Sequence, residues 1–478
     1  MKSDTRKILA VGALLLSAAV VVPAWATVEI LAAAKPGSEW KSYPTRTLED
    51  LPKSVAGKTD AQLSIYGGLA ANKAKATGFF HAEKIQDRWW LVDPDGGLFI
   101  HKGVASVNLA RSPGAMTALT AKFGSASNWA SQTTVMMRDH AFNGVGGWSD
   151  FESLRTAAHP LVYTRSWNFM STFSKKHGRT FIQPGHTGYP GDCISIFDPA
   201  FESFCDEYAK QLADTKDDPW LLGHFSDNEM PLSRAALLNY LKLPASDYGY
   251  QAANTFLQSR HGHDATTNSI TEPDEQDFLG VVTRRYFEIV SRAIKKYDPH
   301  HLYLGSRFYG SNVRCPEIFK ACGPFVDVVS VNYYHAWTPK PEHLEMWARE
   351  SGKPILISEW YAKGADTGMA NTGGVGWLVK TRRDRGLFYQ NFTLGLLESK
   401  VCVGWHWFKY MDNDPDDQKA DPSNRDANKG VVNNHYEPYL TLLADMKLIN
   451  ERAYSLINYF DASAKPRTSL RGPEEKGD

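Results

Sequence analysis

The chain has 478 residues and no net charge at pH 7, with 42% hydrophobic and 12% aromatic residues. This length is enough for a large barrel or for two or three ordinary domains. A nucleic-acid partner usually requires a basic surface, so the neutral balance gives such a partner no support. The 14 Trp and 21 Tyr residues supply flat apolar rings that suit sugar faces as well as a protein core.

Residues 1–26 are predicted to be a secretory signal peptide. Three basic residues precede the apolar run ILAVGALLLSAAVVV, and Ala24 and Ala26 form an A-x-A cleavage pattern. The alternative is an uncleaved membrane anchor, but a run of about 15 residues is short for a span. We therefore expect a secreted or periplasmic protein without a membrane partner after cleavage.

The five cysteines indicate no metal or redox motif, because no CxxC or HExxH pattern is present. In an oxidising compartment Cys315 and Cys322 are close enough in sequence to pair, and Cys193 and Cys205 are a weaker candidate pair. Cys402 lies in an apolar run and is predicted to be a buried thiol.

The N-terminal part of the mature chain divides into two stretches. Residues 27–76 show little strand pattern, so we expect a helix or two and loops. The following stretch alternates and contains the turn PDGG, which predicts a hairpin formed by Ile85–Val92 and Leu98–Ile100. We place a catalytic domain with this leading hairpin at 77–460, and expect the polar tail 461–478 to be disordered.

Eight short apolar runs follow, most of them separated by amphipathic patterns. Several are apolar on consecutive residues, as in parallel strands covered by helices. The runs are HKGVASV (101–107), FNGVGGW (142–148), LVYTRSW (161–167), WLLGHFSDNE (220–229), HLYLGSRF (301–308), VDVVSVNYY (326–334), PILISEW (354–360) and VCVGWHWFKY (401–410). They predict an α/β fold, a (β/α)8 TIM barrel with long loops. A doubly wound sheet is the alternative, but no G-x-G-x-x-G follows the first run.

Two stretches between and after these runs show the spacing of amphipathic helices. The stretch 278–297 places five apolar residues near one face: Val281, Tyr286, Ile289, Val290 and Ile294. The last predicted helix has apolar residues three or four apart: Leu443, Met446, Ile449, Ala453 and Leu456.

Two of the apolar runs end on a glutamate. The fourth ends on Asn228 and Glu229 within GHFSDNEMPL, and the seventh ends on Glu359 and Trp360. Active sites of barrels lie at the carboxyl ends of the strands. A carboxylate there must be solvated in a cleft or paired, because burying it alone is costly. We therefore expect both glutamates to face one cleft.

Two carboxylates across one pocket are what cleavage of a glycosidic bond requires. One carboxyl group gives a proton to the leaving oxygen, and the other attacks the anomeric carbon or activates water. Burial and a nearby negative charge raise the pKa of one, and hydrogen-bond donors lower the pKa of the other. In this interpretation Asn228 binds a sugar hydroxyl next to the reacting carbon while Glu229 delivers the proton.

These residues resemble clan A, the large clan of retaining glycoside hydrolases built on (β/α)8 barrels. In that clan an Asn–Glu pair ends the fourth strand, and the nucleophile glutamate ends the seventh. Several stretches look most like the family 50 β-agarase type: RWWLVDPDG (88–96), GHFSDNEMPL (223–232), ISEWYAKGADTG (357–368), VGWHWFKYMDND (403–414) and NKGVVNNHYEPY (428–439).

The resemblance implies roles for individual positions. Glu229 would be the general acid/base and Glu359 the nucleophile, and Asn228 would bind the hydroxyl adjacent to the anomeric carbon. Tyr333 or Tyr334 would hydrogen-bond Glu359 and keep it ionised. The pleat of the sixth strand decides between the two tyrosines, and we favour Tyr334.

The resemblance also implies contacts with the substrate. Trp407 would form the floor on which a sugar ring stacks. Further candidates for subsite contacts are His335, Trp148 and Arg307.

Structural explanations remain open beside these roles. Glu359 could belong to a structural ion pair, and Glu229 could cap the helix that follows it. Because side chains alternate along GWHWF, Trp405 and Trp407 share one face and His406 occupies the other. Either the histidine or the two tryptophans therefore point inward.

We expect no metal and no cofactor. HGHD (261–264) has no further ligands nearby in sequence and is interpreted as a polar loop. DNDPDD (412–417) resembles a calcium loop but lacks the glycine at the sixth position and the glutamate at the twelfth.

The sequence thus predicts a retaining glycoside hydrolase acting on a β-linked polysaccharide or its oligosaccharides, with agar or a related galactan as the leading substrate. Alternatives are a β-glucanase or β-mannanase of the same clan and a catalytically silent carbohydrate-binding barrel. A metal-dependent barrel hydrolase is a third possibility, but no strand end carries a His-x-His pair.

Overall fold

The structure is a computed structural model that describes residues 28–56, 61–417 and 419–463. The predicted signal peptide lies outside the described residues, and so does most of the predicted tail. Among the described residues, none of the helices combines the length and the apolar character that crossing a membrane requires.

The fold is mixed α/β, with short strands and longer helices in alternation over most of its length. The strands are β1 (Val28–Ala33), β2 (Lys41–Thr45), β3 (Leu69–Lys73), β4 (His81–Ile85), β5 (Arg88–Val92), β6 (Gly97–Phe99), β7 (His101–Val104), β8 (Gly144–Val145), β9 (Val162–Ser166), β10 (Phe181–Gln183), β11 (His186–Gly188), β12 (Leu221–Phe225), β13 (Leu302–Tyr303), β14 (Arg307–Phe308), β15 (Val329–Asn332), β16 (Ile355–Trp360), β17 (Ala362–Gly364), β18 (Trp377–Val379) and β19 (Cys402–Trp407). The helices are α1 (Lys53–Ala56), α2 (Pro113–Phe123), α3 (Ala126–Asp139), α4 (Phe151–Arg155), α5 (Phe169–Lys176), α6 (Ala200–Ala209), α7 (Ala236–Tyr240), α8 (Tyr248–His261), α9 (Glu272–Tyr297), α10 (Pro316–Cys322), α11 (Pro341–Ser351), α12 (Arg382–Glu398) and α13 (Leu440–Ala462).

The centre of the fold is a nine-stranded sheet in the order β13-β12-β9-β8-β7-β19-β16-β15-β14. Its strand pairs are parallel throughout. Every residue of β12, β16 and β19 is buried, which explains why these strands are apolar on consecutive positions. Each of the eight apolar runs contains a strand of this sheet, and the fifth run contains two.

The two edge strands of this sheet, β13 and β14, are separated by only three residues. On one side this segment bonds to the neighbourhood of β12, where Leu304 N donates to His224 O (2.9 Å) and Ser226 N donates to Gly305 O (3.0 Å). On the other side Arg307 pairs in parallel with Ser330 of β15. One segment of chain therefore lies between β12 and β15.

The predicted leading hairpin is present, as part of an antiparallel sheet in the order β3-β6-β5-β4. The turn PDGG joins β5 to β6, and Asp93 accepts a hydrogen bond from Gly97 N (2.7 Å) across it. Ile85 belongs to the neighbouring strand β4. Leu91 and Phe99 share a buried cluster with Leu222 and Leu356 of the parallel strands, so this sheet packs against the central one.

The expectation of helices and loops for residues 27–76 needs correction. β1 and β2 form a sheet with β17 and β18 in the order β17-β18-β1-β2, and the register pairs Ala32 with Val379. Among the described residues of this stretch, the helical segments are a short 3₁₀ turn at Leu48–Asp50 and the four-residue helix α1. The misjudged strands have one solvent-facing side and short length, which leaves a weak alternating pattern.

The two amphipathic helices form as predicted, with one exception. In α9, Tyr286, Ile289, Val290 and Ile294 are buried, but Val281 is 41% exposed. Val281 precedes Tyr286 by five positions, which places it about 140° away around the helix. The five apolar residues singled out in α13 are all buried.

The five cysteines are free and buried, so the proposed Cys315–Cys322 and Cys193–Cys205 pairings are not formed. The Cys315 thiol instead donates to the carbonyl oxygen of Ser311 (3.4 Å), and the Cys322 thiol donates to that of Phe319 (3.5 Å).

Two glycines test how tightly the sheet and its covering helices are packed. In β12 a Cβ on Gly223 would overlap the carbonyl oxygen of Leu302, whereas a Cβ on Gly280 of α9 would meet nothing within 4 Å. We expect Gly223→Ala to lower the free energy of unfolding by about 1–3 kcal/mol because the clash is with backbone. Gly280→Ala should raise it by up to about 1 kcal/mol through helix propensity. Urea unfolding measures both, and equal stabilities for the two variants would contradict the packing described.

Candidate active site

Glu229 and Glu359 lie on the wall of the same cleft, which has a volume of about 960 Å³. Glu229 follows β12, and its backbone N–H donates to the carbonyl oxygen of Arg307 (3.0 Å). Glu359 is the fifth residue of β16. Because both strands are parallel, their carboxyl ends lie at the same edge of the sheet, and the structure brings the two glutamates together there.

The Glu359 carboxylate is surrounded by donors and is 6% exposed. Nη1 of Arg307 lies 2.8 Å from Oε1, and the Tyr334 hydroxyl donates to Oε2 at 2.8 Å. The side chain of Trp148 also donates to this carboxylate. Burial raises the pKa of Glu359, and the neighbouring Glu229 raises it further, whereas Arg307, Tyr334 and Trp148 act in the opposite direction.

The Glu229 carboxylate has different neighbours. Its Oε1 accepts a hydrogen bond from the amide of Asn332 (2.7 Å), and its Oε2 lies 3.5 Å from Nδ1 of His186. Asn332 also donates to Asn228 Oδ1 (3.2 Å), and its own oxygen accepts from the Ser358 hydroxyl (2.8 Å). The orientation of the Asn332 amide is therefore set from the adjacent strand.

The polar residues after β12 have two different roles. Asp227 is 3% exposed and accepts hydrogen bonds from Met170 N (2.8 Å) and Ser171 N (3.2 Å) at the start of α5. The Tyr286 hydroxyl donates to it as well (2.6 Å), and burial raises the pKa of Asp227 to about 6. Asp227 thus holds α5 in place, while Asn228 and Glu229 line the cleft.

The two tyrosines after β15 point to different places, and the preference for Tyr334 agrees with the geometry. Tyr334 contacts Glu359, as described above. The Tyr333 hydroxyl bonds instead to Nδ1 of His343 (3.1 Å) and accepts from Lys340 N (3.1 Å). Tyr333 is 3% exposed and lies outside the cleft, so its candidacy for substrate contact needs correction.

The expected sugar-stacking role of Trp407 also needs correction. Trp407 is fully buried, donates to the carbonyl oxygen of Lys429 (3.0 Å) and packs edge-on against Trp360. It shares this face with Trp405, while His406 points the other way and bonds to His101 of β7 (2.8 Å). The His406 side chain therefore lies on the face of β19 that contacts His101, opposite to the two tryptophans. The neighbouring Phe408 lines the cleft.

The remaining predicted contacts have different outcomes. Trp148 lines the cleft, and the Arg307 guanidinium lies over its ring at 4.7 Å from the ring centroid. Arg307 is 1% exposed and reaches the site through Glu359. His335 is exposed, has a backbone φ of 61° and is not among the residues that line the cleft, so its candidacy for substrate contact needs correction.

Several residues in or behind the wall of the cleft were not anticipated. Asn332 lies behind the wall, where its amide contacts Glu229. It is the last residue of β15, so the signal that singled out Asn228, an amide at a strand end, would also have found it. His186 lies on the hairpin β10–β11, and Lys429 lies in the loop after β19. Loop residues of this kind follow no strand-end rule, and the sequence carries no comparable signal for them.

One group among the described residues has the spacing of metal ligands, namely His224, Asp298 and His301. Asp298 accepts from both histidines, the Trp167 ring N–H donates to His224 (3.1 Å), and His301 also bonds to the carbonyl oxygen of Asp218 (2.9 Å). Each of these side-chain ligand atoms is engaged, so the group holds elements of the fold together.

The two loops whose sequences resemble metal-binding motifs also have carboxylates and a histidine that bond to other parts of the protein. In HGHD, His261 bonds to Asp274 (2.8 Å) at the start of α9. In DNDPDD, Asp412 accepts from Gly430 N (2.8 Å) and from the Asn428 amide (3.0 Å).

A cleft at the carboxyl ends of parallel strands, with two glutamates on its wall and aromatic rings beside them, defines the class of glycoside hydrolases. The solved structure of BpGH50 is 30% identical in sequence to this chain and superposes with a TM-score of 0.80. The match covers 91% of this chain and 96% of that one. The chain belongs to the GH50 family.

Two further relatives have a lower sequence identity to this chain. β-Agarase B of Vibrio sp. (strain JT0107) is 26% identical over 537 residues, which cover 88% of this chain and 54% of that protein. The chain thus spans about half the length of this relative. The agarase AgWH50C has the same fold, with a TM-score of 0.70 at 22% identity over 84% of this chain and 68% of that one. No protein-family profile matches the chain.

Proposed function

We propose that the protein is a retaining glycoside hydrolase that cleaves β-linked galactans such as agarose by double displacement. Glu359 attacks the anomeric carbon while Glu229 protonates the departing glycosidic oxygen. Glu229 then takes a proton from water, whose oxygen attacks the anomeric carbon and releases Glu359. The observation that carries the proposal is the pair of glutamates in one cleft with unequal donor sets.

The donor set of Glu359 suits a nucleophile. A positive guanidinium at 2.8 Å and two neutral donors favour its ionised form and fix the direction of its lone pairs. Burial opposes ionisation by raising its pKa, so the carboxylate is more basic than an exposed one once it has lost its proton. A raised pKa and a fixed orientation both favour attack on carbon.

The surroundings of Glu229 suit a group that must both give and take a proton. Its partners are the neutral amide of Asn332 and, at 3.5 Å, the ring of His186. The cation Arg307 pairs with the other glutamate. Asn228 lies beside it on the cleft wall, and we assign its amide to the hydroxyl next to the reacting carbon. A separation of about 5–5.5 Å between the two carboxyl groups is expected for retention.

We further infer that the central sheet closes into a (β/α)8 barrel of clan A. The segment from Leu302 to Phe308 supports closure, because it hydrogen-bonds towards β12 on one side and pairs with β15 on the other. The seven other apolar runs contribute one strand each, which gives eight positions around the barrel.

The substrate proposal draws on the relatives that are named agarases. The cleft is lined by the rings of Trp148, Tyr309, Tyr361 and Phe408, which offer apolar faces to sugar rings. Secretion, proposed from the N-terminal sequence, would bring the enzyme to a polysaccharide that cannot enter the cell.

Replacing either glutamate tests the mechanism. Glu229→Gln should lower kcat on a polysaccharide by about 10²–10⁴-fold, because the general acid is lost. Glu359→Gln should lower it by several orders of magnitude, because an amide cannot form the glycosyl ester. Glu345→Gln on the exposed side of α11 is the matched control and should keep the wild-type rate. Reducing-end assays measure the rates, and a wild-type rate in either cleft variant removes that residue from the mechanism.

The substrate and stereochemistry are tested together on a panel of agarose, β-glucan and β-mannan oligosaccharides. We expect new reducing ends from agarose, with the β-anomer formed first in a proton NMR time course because two displacements retain configuration. A first-formed α-anomer would overturn the retaining mechanism. Turnover of a glucan or mannan alone would contradict the proposed substrate. Binding of the oligosaccharides without turnover would indicate a catalytically silent sugar-binding protein.

The ion pair of Glu359 predicts a shift in the pH profile. Activity requires ionised Glu359, so kcat/KM should fall as pH drops through its pKa, which lies above the ordinary value of 4.5. Arg307→Gln removes the cation that lowers this pKa, so the acid limb should move to higher pH, by about 1–3 units. Arg307→Lys keeps the charge and should move the limb less. If the acid limb of Arg307→Gln stays at the wild-type pH, the guanidinium does not control the pKa of Glu359.

A further inference from the structure

The hairpin β10–β11 forms part of the cleft but has no role in the mechanism above. All seven residues from Phe181 to Thr187 line the cleft, and the two strands pair in the register Gln183 to His186. Phe181 and Ile182 at its outer strand are 51% and 91% exposed. Because this outer strand is exposed, the contacts of the turn and of the inner strand position the hairpin.

The inner strand of the hairpin brings His186 to Glu229. Nδ1 of His186 lies 3.5 Å from Glu229 Oε2, which is the carboxylate oxygen that Asn332 does not contact. The hydrogen bond to Glu229 raises the pKa of His186 against the opposing effect of burial. The other charged groups that face His186 are Asp421 and Asp192, and both also favour its protonated form.

One hydrogen bond fastens the turn of the hairpin to the loop after β19. Gly185 N donates to Asp421 Oδ1 (2.9 Å), and the same oxygen accepts from Ser423 N (2.8 Å) and the Ser423 hydroxyl (2.6 Å). This loop is anchored in turn by the buried Lys429, whose ammonium donates to Ser423 O (2.9 Å). The position of His186 therefore depends on a contact between two loops of the cleft.

We propose that His186 is a positioning residue for Glu229, and that the contact between Gly185 and Asp421 holds His186 in place. The inference rests on the proposed function of Glu229 as general acid/base. When Glu229 gives its proton to the leaving oxygen, the bond from that oxygen to the anomeric carbon breaks and the bond to Glu359 forms. Glu229 is then negative, and the His186 N–H stabilises it and orients Oε2, the oxygen that Asn332 does not contact, towards the incoming water. The 3.5 Å separation shortens as this charge develops.

The main test is the pH profile of His186→Ala on agarose oligosaccharides. Without His186 the negative form of Glu229 loses a donor, so the basic limb of kcat/KM should move to higher pH by about one unit. At the wild-type optimum the rate should fall by about tenfold or more, because the charge left on Glu229 after proton transfer is less well stabilised. Circular dichroism checks that the variant is folded. His263→Gln is the matched control, since its side chain is fully exposed on a distant loop, and its limb should not move.

Asp421→Ala supplies a second, independent variant. It removes the fastening of the hairpin and one of the acids facing His186, so its basic limb should move in the same direction as that of His186→Ala. A basic limb that stays at the wild-type pH in folded His186→Ala would overturn the role of His186. A limb that stays there in folded Asp421→Ala would overturn the part assigned to the Asp421 contact.

The failure of the proposed function has a different signature. If Glu229→Gln keeps the wild-type rate, Glu229 is not the general acid/base and the proposed function itself is wrong. If Glu229→Gln is inactive and His186→Ala has a wild-type pH profile, the proposed function stands and only the role of His186 is overturned.

Discussion

The buried ion pair between Arg307 and Glu359 is the interaction on which the cleft depends. Both side chains are almost completely buried, and removing two charges from water costs several kcal/mol for each ion. Neither charge is therefore stable here without the other. The pair joins β14 to β16, while the Trp148 ring beneath the guanidinium and the Tyr334 hydroxyl on the carboxylate bring in β8 and β15. Four strand ends are thus fixed relative to one another around a single pair of charges.

Much of this framework could be predicted from the sequence, because parallel strands that are buried on both faces leave unbroken apolar runs. All eight runs contain strands, and the polar residues at their ends identified both glutamates. Inside a strand the same alternation showed that His406 and the two neighbouring tryptophans face opposite ways. It did not show which side faces inward, because an imidazole bonded to His101 and a packed indole are equally compatible with burial. The strands within 27–76 were missed because they are short and partly exposed, which weakens the pattern.

The details of the site depend on features that the sequence does not display. The ladder between β15 and β16 shifts register between Val331 and Asn332, so counting alternate residues into the cleft is unreliable from there on. This irregularity is why Tyr333 and Tyr334 could be separated only by their contacts. His186 lies 43 positions before Glu229 on a surface hairpin, and such a contact depends on loop geometry rather than on strand pattern. Strand ends therefore pointed to the two glutamates of the cleft, whereas the loop residues beside them could not be found in the same way.

The sheet formed by β1, β2, β18 and β17 has a consequence for anyone who wishes to shorten the protein. The first described strand pairs with β18, and the stretch between β17 and β18 supplies Gly374 and Val375 to the rim of the cleft. The strand β1 thus supports, through β18, the stretch that forms one side of the cleft. Trimming it to reach a minimal enzyme would remove the partner of β18 and loosen the rim on the side of Glu359.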